Sequence, residues 1–274
     1  LYVNLGTNGL LLGQYARELA VSGINRLFIS VDGFGAVYDS IRGESGFARL
    51  EESLQKFLRV CHDSKCKPPE LTGVMVVTPQ NLDNLEKTIS HLKQYGFAEF
   101  RLQHMVRVDE EDLEMMRAGC QDPRHHAIWT WGESLNKGDM DLRELTELYN
   151  RIKSNSHQGW AQNGRDAHQR NGRISVEFVP DIPTSMFERY YSNDAMKPVE
   201  GFKCPLFRLG VYIYPDGSVI PAHICHFYSI GNAREATIEE IWKSDEYRSI
   251  RQTMDQKDWI PACSYCTIPY GACI

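Results

Sequence analysis

The sequence predicts an α/β protein in which a parallel sheet, either covered by helices on both faces or closed as a barrel, is followed by a small α+β domain. Short apolar segments alternate with amphipathic ones over the first hundred residues, which is typical of parallel strands joined by helices. Five of the eight cysteines fall within the last 71 residues, which indicates a separate metal-binding region. The 274 residues suffice for one large and one small domain. We expect these domains to span residues 1–180 and 181–274.

The spacing of apolar residues predicts the elements of the barrel part. Strands are expected at Tyr2–Leu5, Arg26–Val31, Leu71–Val77, Phe100–Val106 and Arg173–Val179. Helices are expected at Leu10–Val21, Phe47–Val60, Asn81–Tyr95 and Leu142–Ile152. Ligands of such folds gather at the carboxyl ends of the parallel strands, so we expect a site at that edge.

The tail predicts a hairpin and a helix. A strand at Leu209–Tyr214 leads into a Pro-Asp-Gly-Ser turn and a return strand at Val219–Ile220. Thr237 followed three residues later by Glu240 has the form of a capping box. The helix that begins there is expected to run to about Met254.

Four cysteines of the tail are candidate metal ligands, namely Cys204, Cys225, Cys263 and Cys266. Four thiolates hold either a [4Fe–4S] cluster or a tetrahedral zinc ion, and the CxxC spacing lets one turn present two sulfurs. Buried cysteines without metal are the third alternative. His223 and His226 flank Cys225 and are alternative ligands. Cys273 is either a ligand of a second cluster or a free thiol.

Three short motifs follow predicted strands in the first half. Thr7-Asn8-Gly9 follows the first strand, Ile29–Gly33 (ISVDG) ends the second, and Tyr38–Gly43 (YDSIRG) comes just after it. They resemble the TNG, ISxDG and YDxIRG segments of the barrel of radical S-adenosylmethionine (radical SAM) enzymes. The tail, with its cysteines, PDG hairpin, GN step and Ile241-Trp242 helix, resembles the SPASM and twitch domains that follow such barrels.

The resemblance implies a partial (β/α) barrel followed by a small α+β domain of the SPASM or twitch type. It also implies a radical SAM oxidoreductase-type enzyme with two cofactors, S-adenosylmethionine (SAM) and an auxiliary [4Fe–4S] cluster. It implies that Ser30 and Arg42 contact SAM and that the backbone at Leu102 packs against adenine. Asn8 and Asp32 are expected at the same end of the barrel, where SAM would lie. The residues alone leave other roles open. Arg42 also suits a surface ion pair, Asp32 also suits a turn or a helix cap, and Asn8 also suits an ordinary turn without a ligand.

The resemblance also implies partners. A 5′-deoxyadenosyl radical would take a hydrogen atom from a peptide or small-molecule substrate, and an external electron donor would supply the reducing electron. The auxiliary cluster would accept an electron or anchor the substrate. Gln103 or His104 are candidates for facing the substrate, although a histidine near a core is more often structural. Two alternatives are open for the irregular middle segment: it lines a pocket, or it is an aromatic loop without a functional role. Its candidate residues are His125, His126, Trp129 and Trp131.

The sequence contains neither a CxxxCxxC loop nor a GGEP-type motif, which radical SAM barrels use to hold the first cluster and the SAM amino group. Cys61 and Cys66 do not substitute, because their spacing differs and they lie at the end of a predicted helix. We expect that both motifs precede Leu1 and that this chain alone is inactive.

Composition excludes several classes of function. The formal net charge of −6 and the lack of any Lys/Arg run argue against a nucleic-acid partner. No apolar stretch approaches the ~20 residues that cross a bilayer, so no membrane partner is expected. The first residues do not resemble a secretory signal, and we expect a cytoplasmic protein. The alternative function is a zinc-stabilised, non-catalytic binding module.

Overall fold

The structure is a computed structural model, and it describes residues 1–104, 140–159, 174–191, 204–221 and 229–256. The chain divides into two compact units. One consists of Leu1–Met105 with Gly138–Thr184, and the other of Val106–Lys137 with Ser185–Ile274. Within the described ranges, no helix is both long enough and apolar enough to cross a membrane.

A five-stranded parallel sheet forms the centre of the first unit. Its strands are β1 (Asn4–Thr7), β2 (Arg26–Ser30), β3 (Glu70–Val77), β4 (Phe97–His104) and β5 (Ser175–Val179). They lie side by side in chain order, and each is parallel to the next. In a barrel the strands follow one another in chain order, whereas in a doubly wound sheet the order reverses at one point, so the observed order is that of a barrel. The predicted α/β class with a partial barrel is confirmed.

Helices connect the strands of this unit. They are α1 (Ala16–Val21), α2 (Ala36–Arg42), α3 (Gly46–Asp63), α4 (Leu85–Leu92) and α5 (Leu142–Gly159). Right-handed crossovers between strands in chain order place the helices on one face of the sheet. Contacts agree, because Leu50 of α3 and Ile29 of β2 both approach Gly9, and Tyr149 of α5 packs on Phe178 of β5.

The helix-covered face of the sheet is apolar and tightly packed. Every second strand residue points to it, including Leu27, Ile29, Met75 and Leu102, all of which are completely buried. Gly73 shows how tight the packing is, since a Cβ added there would come within 2.4 Å of the Phe100 ring. The opposite face carries the alternate residues and is the inner face of the partial barrel.

Two predicted helices begin later than expected. The segment from Leu10 is a series of turns, and α1 starts only at Ala16, because the Gly13 amide donates to the Ser53 hydroxyl of α3 at 2.8 Å instead of to a helical carbonyl. The helix predicted from Asn81 starts at Leu85, because the Asn81 side chain bonds strand-end carbonyls. Helix α2 was not predicted as a helix.

The second unit contains helices and a small antiparallel sheet. In chain order its elements are α6 (Phe187–Tyr191), α7 (Leu206–Leu209), β6 (Tyr212–Ile213), β7 (Ser218–Ile220), β8 (Gly231–Asn232), α8 (Ile238–Lys243) and α9 (Asp245–Gln256). The predicted hairpin is present, since Tyr212 pairs with Ile220 and Ile213 with Val219. Its first strand is shorter than predicted, because Leu206–Leu209 forms a helical turn.

The helix predicted from Thr237 to Met254 is two helices. The capping box at its start is confirmed: the Thr237 hydroxyl accepts from the Glu240 amide and the Glu240 carboxylate accepts from the Thr237 amide. The break falls at Ser244, whose backbone is extended (φ −60°, ψ 151°). The Ser244 hydroxyl accepts from the Tyr247 amide at 3.1 Å and so starts α9 as a new N-cap.

A hydrophobic core holds the second unit together, and its buried members are Phe207, Val219, Ile230, Ile241, Tyr247 and Met254. The Tyr247 hydroxyl donates to the Phe207 carbonyl at 2.9 Å, which joins α9 to α7. Gly231 of β8 lies against Ile241, where an added Cβ would be 3.0 Å away, and its φ of +146° also favours glycine. The half-buried Cys204 packs against this core.

Candidate functional site

The carboxyl ends of β2 and β3 are cross-linked by a buried network around Asp32. One Asp32 oxygen accepts from the Val76 amide at 2.8 Å, and the other accepts from the Arg42 guanidinium, with the Nε at 2.7 Å. A terminal nitrogen of Arg42 also contacts that second oxygen. The Asp32 side chain is 6% exposed and that of Arg42 is 30% exposed. Asp32 thus anchors Arg42 beside the end of β2.

Asn81 completes this network and was not identified from the sequence. It is fully buried, and its amide nitrogen donates to the Asp32 carbonyl at 2.9 Å and the Val76 carbonyl at 2.8 Å. Its side-chain oxygen accepts from the Thr78 amide at 2.8 Å. An asparagine four residues after the end of a strand is a weak sequence signal, because the same residue suits any exposed turn.

Ser30 lies at the last position of β2, half-buried and on the inner face. The strand register places it beside Val74 of β3, followed in the same row by Arg101 of β4 and Glu177 of β5. Arg101 and Glu177 were not identified from the sequence. Polar residues at every second position of the strands were the available signal, because that alternation separates an inner face from a helix-covered one.

Among the described residues, no hydrogen bond joins Leu102 or Asn8 to the Asp32–Arg42 pair. Leu102 is in β4 with its side chain buried against the helices, and its Cα pairs in register with Met75 and Phe178. The Asn8 side chain is exposed and accepts from the Leu10 amide at 3.2 Å, which is ordinary turn bonding. The structure thus brings Asp32 and Arg42 into contact, and Ser30 lies two residues before Asp32 in the chain.

An ion-pair network covers the inner face nearer the amino ends of the strands. Arg26 binds Glu70 at 3.1 Å and Glu99 at 3.2 Å, and Glu99 also binds the Arg101 Nε at 2.7 Å. Both guanidiniums lie over the ring of Phe28, with their central carbons 5.8 Å (Arg26) and 5.0 Å (Arg101) from the ring centroid. Burial lowers the pKa of Arg26, but Glu99 and Glu70 raise it more, so the net shift is upward.

Several buried polar atoms of this face have no hydrogen-bond partner among the described residues. They are the Nε of Arg26, the Oε1 of Glu70 and the Oγ1 of Thr72. No ion pair joins Arg101 to its register neighbour Glu177 within the described ranges, and Glu177 accepts only from the Ser175 hydroxyl at 3.3 Å. The half-buried side chains of Arg101 and Glu177 therefore offer hydrogen-bonding groups to a polar ligand on this face.

His104 is buried on the helix-covered side. It stacks on Phe178 with ring centroids 5.4 Å apart, and burial lowers its pKa to about 4, although nearby Asp181 opposes the shift. A neutral, stacked histidine at this place is part of the core. Gln103, its neighbour in the strand, points to the inner face by alternation and is half-buried.

Of the four candidate cluster ligands, the structure describes Cys204 alone. Cys225, Cys263 and Cys266 lie outside the described residues, as do Cys120, Cys273, His223, His226 and the aromatic segment with His125, His126, Trp129 and Trp131. Cys204 comes just before α7, and the antiparallel pairing of β6 with β7 brings the chain that enters the hairpin close to the chain that leaves it. That arrangement suits a ligand set split between both sides of the hairpin.

Cys61 and Cys66 lie at the end of α3, in the first unit. No group of three or more His, Cys, Asp or Glu side chains in the described part of the chain is arranged to hold a metal ion. Any metal ligation by the tail therefore involves residues beyond those ranges.

Part of the tail matches a known family of domains, and the chain as a whole resembles several solved structures. Residues 204–267 match the model of the SPASM family, described as an iron-sulfur cluster-binding domain. No curated protein matches the chain significantly. Among solved structures, hexahistidine-tagged anSMEcpe with bound AdoMet matches with a TM-score of 0.54 at 16% identity, covering 97% of this chain and 61% of that one.

A second set of matches is to SuiB from Streptococcus suis. One structure has a TM-score of 0.54 at 14% identity and covers 98% of this chain and 55% of that one. Another, SuiB bound to precursor peptide SuiA, has a TM-score of 0.53 at 14% identity, with coverages of 92% and 50%. This chain thus spans about half to three fifths of the length of these proteins and shares their fold.

Proposed function

Because this chain joins the fold of radical SAM enzymes to a SPASM iron–sulfur domain, we propose that it is the substrate-facing part of a radical SAM oxidoreductase acting on a peptide. When bound and reduced by one electron from an external donor, SAM would give methionine and a 5′-deoxyadenosyl radical, and that radical would remove a hydrogen atom from the substrate. The observation that carries the proposal is the Asp32–Arg42 pair beside Ser30 at the carboxyl edge, in a chain with a SPASM match.

Arg42 is proposed to bind the SAM carboxylate. Its Nε and one terminal nitrogen contact Asp32, so the other terminal nitrogen remains to face a ligand. A guanidinium suits this task because its planar fork binds a carboxylate with defined geometry. Asp32 is then a positioning residue, since both of its oxygens are already used by protein donors.

Three further residues are proposed as SAM contacts at this edge. The Ser30 hydroxyl would bond the ribose or the methionine part, and the Leu102 backbone would pack against adenine. Asn8 is proposed at the mouth, although its side chain bonds its own turn in this structure. Ser30 is supported best, because it is the last residue of its strand and lies next to the Asp32 network.

A peptide is the proposed substrate class. SuiB has been solved with a precursor peptide, and anSMEcpe with the Cp18Cys peptide. The inner face supports this choice. Arg101 and Glu177 lie in one register row with Ser30, and they offer a peptide a hydrogen-bond donor and a hydrogen-bond acceptor, respectively. Peptide amides present an acceptor and a donor side by side, so such a row can satisfy both.

We assign the auxiliary [4Fe–4S] cluster to Cys204, Cys225, Cys263 and Cys266, within a domain proposed to span 181–274 and following a barrel part at 1–180. The SPASM match contains all four cysteines and favours iron–sulfur over zinc. When bound, the cluster would accept an electron from the substrate radical or anchor the substrate. The sequence has no CxxxCxxC motif, so the 274 residues alone are proposed not to cleave SAM.

Equilibrium dialysis of SAM against the cluster-loaded chain tests the proposed SAM site. Replacing Arg42 with Ala should weaken SAM binding at least tenfold, because a hydrogen bond to a charged group is worth about 1.5–3 kcal/mol. Arg49→Ala is the matched control, an exposed arginine on α3. Equal SAM affinity of the Arg42→Ala variant and the wild type, or no binding by the wild type, would contradict the assignment.

A further inference from the structure

Cys61 and Cys66 play no part in the proposed function, yet the end of α3 holds them together. Three backbone bonds close this end: the amides of Ser64, Lys65 and Cys66 donate to the carbonyls of Val60, His62 and Cys61, each at 3.0 Å. Lys65 adopts the left-handed conformation, with φ of +53°. This pattern is a Schellman motif, in which Cys61 and Cys66 occupy the two positions whose side chains meet.

The backbone bond between the two cysteines limits their separation. The Cys66 nitrogen lies 3.0 Å from the Cys61 oxygen, and standard bond lengths then keep the two Cα atoms within about 7 Å. Disulfides form across Cα separations of about 4.4–6.8 Å. The backbone bond therefore holds the pair at about the separation that a disulfide requires.

The two thiols differ in access. Cys61 is 1% exposed, whereas Cys66 is half-buried and its sulfur lies 3.6 Å from the Ser64 carbonyl at the surface. Burial raises the pKa of the Cys61 thiol, and the neighbouring Cys66 raises it further. A half-buried, accessible thiol next to a fully buried one is the arrangement of an attacking and a resolving cysteine.

We propose that Cys61 and Cys66 form a reversible dithiol–disulfide site that reacts with low-molecular-weight disulfides. The Cys66 thiolate attacks the small disulfide, forming a mixed disulfide and releasing one small thiol. The Cys61 sulfur, losing its proton to solvent, then attacks the Cys66 sulfur and releases the second small thiol. One small disulfide is reduced to two thiols, and one protein dithiol is oxidised. The proposal does not depend on the proposed radical SAM function.

Treating the cluster-loaded chain with oxidised glutathione, then mapping it with trypsin, tests the proposal. Trypsin cuts after Arg59 and Lys65, so it separates the two cysteines into different fragments. The 60–65 fragment should be recovered joined by a disulfide to the fragment that begins at Cys66, and dithiothreitol should separate them. The midpoint of thermal unfolding should rise on oxidation and return on reduction, because the link closes the end of α3.

Serine variants distinguish the two roles. The Cys61→Ser variant should stop at a glutathione adduct on Cys66, and the Cys66→Ser variant should yield neither adduct nor link at this site. Cys120→Ser is the matched control and should form the link like the wild type. Two separate glutathione adducts, unmodified thiols at both positions, or a link from Cys66 to a cysteine of the tail would each overturn the proposal.

Discussion

At the residue scale, Asp32 makes two separate contacts. One of its oxygens accepts a hydrogen bond from the Val76 amide of β3, and the other accepts from Arg42. Replacing Asp32 with Asn keeps a similar shape but removes the charge that pairs with Arg42. The free energy of unfolding should fall by about 1–3 kcal/mol in urea denaturation. Asp63→Asn, at an exposed carboxylate, should change it by less than about 0.5 kcal/mol. Equal effects of the two variants would contradict this role.

Glu99 is the centre of the inner-face ion network, because it binds both Arg26 and Arg101 and is 3% exposed. Replacing Glu99 with Gln leaves two guanidiniums without their shared counter-charge, and we expect a loss of about 3 kcal/mol in the free energy of unfolding. Glu70→Gln, which affects one arginine at a more exposed position, should cost clearly less by the same urea denaturation. The reverse order would contradict the network.

His104 should make the protein sensitive to acid. Its pKa is about 4 when folded and about 6.5 when unfolded, so between these values the unfolded state binds the proton more readily. Stability should therefore fall as pH drops from about 6.5 to 4, by up to about 3 kcal/mol.

Urea denaturation of His104→Phe across that pH range measures this contribution. The variant keeps a ring on Phe178 but cannot titrate, so its loss of stability on acidification should be smaller than that of the wild type. His62→Gln, at a histidine that is 88% exposed, is the matched control. An unchanged pH dependence in the His104→Phe variant would refute the assignment.

At the element scale, the capping box at Thr237 starts α8, the helix that packs Ile241 into the core of the second unit. Thr237→Ala removes the hydroxyl that accepts from the Glu240 amide and should cost about 1 kcal/mol of unfolding free energy. Amides of α8 should also exchange faster with solvent. Ser249→Ala, at an exposed position within α9, is the control and should leave α8 exchange unchanged.

Elements with strong periodicity could be predicted from the sequence, and elements shaped by distant contacts could not. Helix α3 and strands β2 and β3 match their predicted places within three residues, since local apolar spacing dictates them. The starts of α1 and α4 depend on the Ser53 and Asn81 side chains. Helix α2 is only seven residues long and is bounded by Gly35 and Gly43, so it is too short to show a clear helical spacing of apolar residues.

At the scale of the whole molecule, the order and spacing of short motifs predicted the fold and the type of the tail, which composition alone could not. The fold and the SPASM-type tail followed from short motifs joined by spacing, and the match at residues 204–267 agrees. The contact between Asp32 and Arg42 was not predicted, because ten residues and a helix separate them in the chain. The inner-face row was also missed, because Arg101 and Glu177 become neighbours only once β4 pairs with β5.

The central claim is that the four tail cysteines hold an iron–sulfur cluster, and iron and sulfide analysis of anaerobically reconstituted protein tests it most directly. The wild type and Cys120→Ala should bind about four iron atoms per chain, whereas Cys263→Ala should lose most of them. Iron retained in full by Cys263→Ala, or zinc in place of iron in the wild type, would contradict the claim.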